Sequence, residues 1–435
     1  MLGMVDDELA VSYCGLDSAL STAQLNAQSN LKKLQYNEQK CVKMHVGAKK
    51  TLCCDSFIDT WKTVSSVQDT LPVHEFVDVE SDMHCMQQVS EWKYLGDILS
   101  SNSKQDENIK ERISRASGAA KEVKQMLDDL CLGEFFFQGA NILRSSLFLS
   151  SLISNSESWV NLSAKNVSDL ESLDEKLLRD ILSAHAKTPK ELLYLETGNI
   201  PVSYIIKSRR LNFLHWILNE PESSLVRRFL DAQLSSPIRN DWVTQVKEDI
   251  IKLDINLTFD EIGEFSKEAF KDLVKTKIRK EAFNDLLNLQ KSHSKGKEIL
   301  FKQFSLQDYL MSRSSLTKKE KHFVFKARSR TLDLRCNFKL GQSTLQCRLC
   351  DSHPEDQESL LTCPALVTGE DLPASQQPPY MDIFSDNFVK ISVIAKLLQE
   401  KFTAFTTRVN RPNPCSASDK VNVIDNDINV SDDLE

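Results

Sequence analysis

Leu2-Gly3-Met4-Val5-Asp6-Asp7-Glu8-Leu9-Ala10-Val11 places two adjacent carboxylates inside a short, strand-forming apolar run. Burying them is costly, because like charges this close repel and lose hydration. A divalent cation resolves that cost, and hard carboxylate oxygens suit Mg²⁺. Asp6 and Asp7 are therefore the candidate catalytic and Mg²⁺-binding residues, at the tip of a hairpin whose second strand is Leu9-Ala10-Val11-Ser12-Tyr13. Two-metal phosphoryl-transfer chemistry needs a further carboxylate from an earlier strand, and this sequence holds none before Met4. The expectation is a chain that corresponds to the downstream half of such a site. The alternative is that Asp6-Asp7 forms a solvated turn at a frayed terminus.

The 435 residues are 41% hydrophobic and 27% charged, the composition of an ordinary globular chain of two or three domains. Only 12 glycines occur, with no GxGxxG and no GxxxxGK[ST], which argues against Rossmann and P-loop chemistry. The formal net charge is −8, but charge is segregated. Residues 266–340 carry 19 Lys/Arg against 8 Asp/Glu, and residues 416–435 carry 6 Asp/Glu against one Lys. The basic block predicts either a polyanionic partner or a set of solvated helix faces. The N-terminus lacks a basic region followed by an apolar stretch, and no run approaches the ~20 apolar residues of a membrane helix. Eleven irregularly spaced cysteines do not read as a secreted disulfide framework; the expectation is an intracellular protein, nuclear or cytoplasmic.

Residues 17–34 read as a helix, Cys41–Gly47 as a strand, and Trp92–Leu99 as a hairpin turning at Gly96-Asp97. Beyond residue 104 the periodicity becomes helical. Helices are predicted over 105–130, 135–153, from a Ser163 cap, and over 189–195, 201–218, 222–234, 240–252, 266–290 and 383–404. A cysteine cluster, Cys347-Arg348-Leu349-Cys350, His353 and Cys363-Pro364, precedes a Pro/Ser/Gln-rich linker and a polar acidic tail from about residue 408. The predicted fold is mainly α with a small α+β remnant. The predicted segments are 1–103, 104–260, 261–345, 346–366, 367–407 and 408–435.

In order and spacing these stretches resemble the reverse transcriptases of non-LTR retrotransposons, over roughly residues 1–365. Met4-Val5-Asp6-Asp7 is similar to the family's aromatic-x-Asp-Asp signature, with Met where Tyr or Phe is usual. Leu34–Gly47 resembles the motif after it, and Tyr94-Leu95-Gly96-Asp97-Ile98-Leu99 the primer-grip hairpin. Trp159-x-x-Leu162, Leu170-Glu171-x-Leu173-Asp174, Glu191–Pro201 and Arg209-Arg210-Leu211-Asn212-Phe213-Leu214 are similar to the helical thumb and linker. The resemblance implies a truncated palm (residues 1–103), a thumb and linker (104–260), a basic helical region (261–345) and a zinc-knuckle-like element (346–366). It implies an ancestral RNA-directed DNA polymerase acting on template RNA and a DNA primer, with Mg²⁺ at Asp6 and Asp7. Fingers, the first palm motifs and an endonuclease are not in the sequence, so the expected product is a catalytically incomplete fragment that keeps affinity for RNA or DNA. The alternative is a retroelement-derived helical scaffold or protein-interaction module.

The resemblance brings Lys40 and Lys43 toward a triphosphate, although a charged turn explains them equally. Trp92, Tyr94 and Gly96 would position a primer end, with Trp92 also reading as core. Arg209, Arg210, Lys318, Lys319, Lys326, Arg328 and Arg330 are candidate phosphate contacts. Phe323, Phe325 and Phe338 interleave with the later ones, as base-stacking rings or as core. Cys347, Cys350 and Cys363 fit three ligands of a tetrahedral Zn²⁺ site, since a Cys-x₂-Cys turn presents two thiolates to one ion. The family's fourth ligand is a His four residues before the last Cys, where this chain has Ser359; His353 or Cys336 is left as the fourth ligand, or the knuckle has lost its metal.

Overall fold

The computed structural model describes residues 42–43, 87–88, 90–94, 96–100, 104–235, 241–338, 345–366 and 378–410. In chain order the strands are β1 (Val42–Lys43), β2 (Gln87–Gln88), β3 (Glu91–Tyr94) and β4 (Asp97–Ser100). The helices are α1 (Asp106–Asp129), α2 (Phe136–Leu143), α3 (Leu149–Leu152), α4 (Ala164–Leu182), α5 (Lys190–Thr197), α6 (Val202–Leu218) and α7 (Leu225–Ser235). They continue as α8 (Trp242–Lys252), α9 (Phe259–Glu264), α10 (Lys267–Ser292), α11 (Lys318–Arg328), α12 (Gln357–Leu361) and α13 (Phe388–Val409). The chain is mainly helical, with two two-stranded sheets among the described residues. The hairpin around Asp6 and Asp7 and the helix predicted over 17–34 lie outside those residues.

Two compact units divide the chain. One comprises Met1–Ile181 and Thr197–Asn288, the other Leu182–Glu196 and Leu289–Glu435.

In the first unit β1 pairs in parallel with β2, and β3 pairs antiparallel with β4 with Trp92 opposite Leu99 and Tyr94 opposite Asp97. The hairpin therefore turns one residue earlier than Gly96-Asp97. Gly96 takes φ +91°, a conformation glycine adopts without a Cβ penalty, while Asp97 already belongs to β4. The Asp97 carboxylate accepts from Arg112 of α1 and from Asn155, and the Ile98 N–H donates to Asn108 Oδ1 at 3.3 Å. The hairpin is thus pinned to the first turns of α1. That helix buries Ile109, Ala116, Val123 and Leu127, a stripe at helical spacing. Ser163 caps α4 as expected, its Oγ accepting from the Asn166 N–H at 3.1 Å.

The helix predicted over 135–153 is interrupted by a π turn at Arg144–Phe148 between α2 and α3. Arg144 lies there and enters the core. Its Nε and Nη2 bond both carboxylate oxygens of buried Asp174 on α4, at 2.7 and 2.6 Å, and Nη1 reaches Asn199 Oδ1 at 3.1 Å. Three segments of the unit meet on one guanidinium.

In the second unit, α5 buries Leu192, Leu193 and Leu195, and α13 buries Ile391, Ile394, Leu398 and Phe405. Thr317 opens α11 with a capping box: Glu320 N–H donates to Thr317 Oγ1 at 3.3 Å, and Thr317 N–H to Glu320 Oε2 at 2.7 Å. The helix predicted over 383–404 begins five residues later, at Phe388, because Asn387 supplies the cap by accepting from the Val389 and Lys390 N–H groups. Tyr380–Phe384 forms a separate 3₁₀ turn before it.

Candidate metal centre

A tight loop in the second unit assembles the cysteine cluster. Gln346 and Pro354 form an antiparallel bridge, the Cys347 N–H donates to His353 O at 2.8 Å, and the Glu355 N–H donates to Leu345 O at 2.7 Å. The loop folds back on itself through Asp351, whose N–H bonds Cys347 O at 3.0 Å and whose φ is +51°. A buried carboxylate fixes it from behind. Glu355 accepts from Arg348 Nη2 at 2.7 Å, Arg348 Nε at 2.8 Å, and the N–H groups of Arg348 and Arg335 at 3.1 and 3.0 Å. The Arg348 guanidinium lies 5.1 Å from the centre of the Phe405 ring on α13. Asp356 then caps α12 by accepting from the Ser359 N–H at 2.7 Å, and α12 delivers Cys363 two residues beyond its end.

The result is three thiols with Sγ atoms all within 4.8 Å of one another, Cys347 and Cys363 at 3.9 Å. Tetrahedral Zn²⁺ with Zn–S bonds of about 2.3 Å places its sulfurs about 3.8 Å apart, so the donor set fits a soft divalent ion. Cys347 and Cys363 are buried and Cys350 is partly exposed. Burial, reinforced by the neighbouring cysteines, pushes the Cys363 thiol up to about 12. Burial also acts upward on Cys350, but the Ser352 and His353 N–H groups and the thiols of Cys347 and Cys363 outweigh it and hold Cys350 below the usual thiol range. Hydrogen bonding to the charged sulfur favours the thiolate, the form that ligates a metal.

The expected fourth ligand is less directly placed. The ring nitrogens of His353 do not lie within the cysteine group, and neither does Cys336 Sγ, which donates to Leu345 O at 3.9 Å. His353 Nε2 is enclosed, with no hydrogen-bond partner among the described residues. Sequence reading missed Glu355, the carboxylate that holds the loop; a lone acid two residues past the His carries no spacing signal of its own.

The remaining site residues are dispersed. Asp6, Asp7 and Lys40 lie outside the described residues; Lys43 is in β1 and Tyr94 in β3. Trp92 is partly buried in β3, and Gly96 holds the hairpin turn. Arg209 is partly buried and donates to Ile153 O, with Glu157 at 3.9 Å; burial lowers its pKa. Lys319 is exposed, and Lys318 and Lys326 are partly exposed, at the two ends of α11. Arg330 is partly exposed, 3.3 Å from Glu298 and 5.3 Å from the Phe384 ring.

Two candidate phosphate contacts need correction. Arg210 is buried and donates to Asp249 Oδ2 at 2.6 Å and Trp159 O at 3.2 Å. Arg328 is fully buried, its Nε on Glu196 Oε1 at 2.8 Å and its Nη1 on the carbonyls of Ile383 and Ser385 at 2.7 and 2.8 Å. A guanidinium so enclosed and paired with a carboxylate presents no surface to a phosphate; both are interior ion pairs. Of the three candidate stacking rings, Phe325 is core, Phe323 is partly buried against Phe402 with ring centres 5.8 Å apart, and Phe338 is partly exposed.

Among the described residues, no helix is long and apolar enough to cross a membrane. Compared with known proteins, the chain matches no family model, no curated protein and no solved structure.

Proposed function

We propose that this chain is a nucleic-acid-binding protein derived from the downstream part of a non-LTR retrotransposon reverse transcriptase, with a structural Zn²⁺ held by Cys347, Cys350 and Cys363. Its partners are an RNA template and a DNA primer, and Asp6 and Asp7 are an inherited Mg²⁺-binding pair. The observation that carries the reading is the convergence of three thiols within 4.8 Å on a loop locked by Glu355. It supports the Cys-x₂-Cys…Cys element at the position where the resembled family has its knuckle. Zinc supplies a cross-link there: it fixes the Cys347–Cys350 turn against the end of α12 and so orders the surface around it. His353, whose Nε2 is enclosed beside the cluster's loop, is the fourth ligand in this reading, and Cys336 is the competitor.

The test is fluorescence anisotropy of the full chain on a labelled RNA–DNA primer-template, across a salt series, with metal content measured by mass spectrometry. The expected result is one zinc per chain, lost in Cys363→Ser, and binding that weakens steeply with salt as counterions are released. His353→Ala lowers zinc affinity and Cys336→Ser leaves it unchanged. Absence of binding at low salt overturns the nucleic-acid reading, and a chain without zinc overturns the metal site. The helical-scaffold reading then stands, favoured by the burial of Arg210 and Arg328, cations spent on the protein's own carboxylates.

A further inference from the structure

Phe338 is a ring that the core does not claim. It ends the 3₁₀ turn Arg335–Phe338, which is held in place by buried Asn337, whose Nδ2 donates to Leu332 O at 2.8 Å. The ring remains partly exposed, and what surrounds it is cationic and polar. The His185 ring lies tilted against it, 52° between planes with ring centres 4.8 Å apart, and the ammonium groups of Lys187 and Lys295 lie 5.7 and 5.1 Å from its centre. These groups come from segments more than a hundred residues apart in sequence, all within the second unit. Lys295 Nζ is steered by Asn337 O at 2.6 Å. The Lys187 N–H donates to His185 Nδ1 at 3.0 Å, so that nitrogen is the acceptor and the ring's proton sits on Nε2, as a donor. His185 and Lys187 are exposed, as are Lys190, Lys291 and Lys297 in the same segments.

One aromatic face, two ammonium groups and an imidazole donor are the chemistry of a single nucleotide unit: the ring for a base, the cations for the flanking phosphates. An acidic peptide would use the cations and leave the ring idle. A base would displace one ammonium from the ring, and the exchange is favourable: stacking on a base outweighs an exposed ammonium–ring contact, and the freed ammonium gains a phosphate. We propose that Phe338, His185, Lys187 and Lys295 form a binding site for single-stranded nucleic acid, with one base on Phe338. The proposal rests on the nucleic-acid reading above and specifies where an unpaired strand sits.

The experiment uses the full chain and a labelled 12-nucleotide oligouridine, with one 5-iodouridine for photocross-linking. Phe338→Leu keeps apolar volume but removes the π face; it weakens binding about 5- to 150-fold, the range for loss of one stacked base. Lys187→Gln with Lys295→Gln flattens the salt slope by about 1.4, two single-strand phosphate contacts. Melting temperatures within a few degrees of wild type verify that both variants fold, and the cross-link maps to the peptide holding Phe338. Variants that bind oligouridine with wild-type affinity and slope, while primer-template binding persists, overturn this site and leave the nucleic-acid reading intact. A wild-type chain that binds neither oligonucleotide overturns both. Equal competition by a polyglutamate peptide of matched charge overturns the stacking assignment in favour of simple anion capture.

Discussion

Replacing Arg328 separates a structural cation from a nucleic-acid contact. Arg328 and Glu196 are each 1% exposed at the side chain, and the guanidinium satisfies one carboxylate oxygen and two backbone carbonyls, 2.7–2.8 Å away. It also lies 5.5 Å from the centre of the buried Tyr309 ring. Arg328→Met keeps the length and apolar stem but leaves Glu196 as an uncompensated buried charge. Breaking a buried pair from one side costs about 3–5 kcal/mol, because the surviving ion keeps its desolvation penalty and loses its partner. The unit that contains the pair spans about 160 residues, for which each kcal/mol moves the melting temperature by about 2–4 °C. The expected drop is therefore about 6–20 °C by differential scanning calorimetry. Removing the charge from both sides, Arg328→Met with Glu196→Met, recovers most of it, since two apolar side chains of similar volume need no compensation. The primer-template salt slope stays at the wild-type value, whereas loss of one phosphate contact would reduce it by about 0.9. A variant that melts within 2 °C of wild type, or one with a flatter salt slope, refutes the assignment.

Gly296 has φ +77°, and a Cβ there would meet Leu192 Cδ1 at 2.5 Å; Gly296→Ala costs about 2–4 kcal/mol from strain and overpacking together, read as a shifted urea midpoint. Gly118 lies on α1 with nothing within 4 Å, so Gly118→Ala moves stability the other way, by about 0.5–1 kcal/mol in the same titration. Glu320 is held below the usual carboxylate range by the Thr317 N–H, so the unfolded state binds the proton more tightly. Its contribution is full above the unfolded pKa of about 4.3 and is lost as pH falls through the lower folded value. Glu320→Gln therefore flattens the loss of stability on acidification between about pH 5 and 3, and Thr317→Ala costs about 1 kcal/mol at pH 7. Zinc must displace protons from the thiols, so apparent zinc affinity rises with pH in a competitive-chelator titration; a flat profile would rule out thiolate ligation.

The helices were the most legible part of the chain because their signals are local. The Ser163 cap and the apolar stripe of α1 are written within one or two turns, and both are present where the sequence places them. The Cys-x₂-Cys turn is local too, and Cys363 follows close enough that a short helix suffices to return it. What sequence could not give is long-range. Asp174 reads as one more polar position on an amphipathic helix, yet it is the buried partner of Arg144, 30 residues away and on a π turn that no residue pattern announced. Short α9 and α12 were missed because six and five residues barely complete a period, leaving only their caps, Thr258 and Asp356, as signals.

The basic block illustrates why composition is a poor guide to a charged surface. Counted along the chain, Lys321, Lys326, Arg328 and Arg330 are equivalent cations, but a helix sorts them by face. Lys321 turns inward, with Nζ at 2.9 Å from Met311 O, and Arg328 neutralises Glu196; Lys326 sits on the partly exposed side of the same helix, and Arg330, just beyond it, pairs with Glu298. The excess of positive charge in the sequence is thus partly spent on carbonyls and carboxylates inside the fold. What is left to attract a polyanion depends on segments remote from the block, such as His185 and Lys187, which the fold brings to Phe338. The phosphate-binding surface proposed for this protein is therefore a tertiary property, and substitutions chosen by proximity in sequence will mix loss of stability with any loss of binding unless each cation is first assigned to the interior or to the surface.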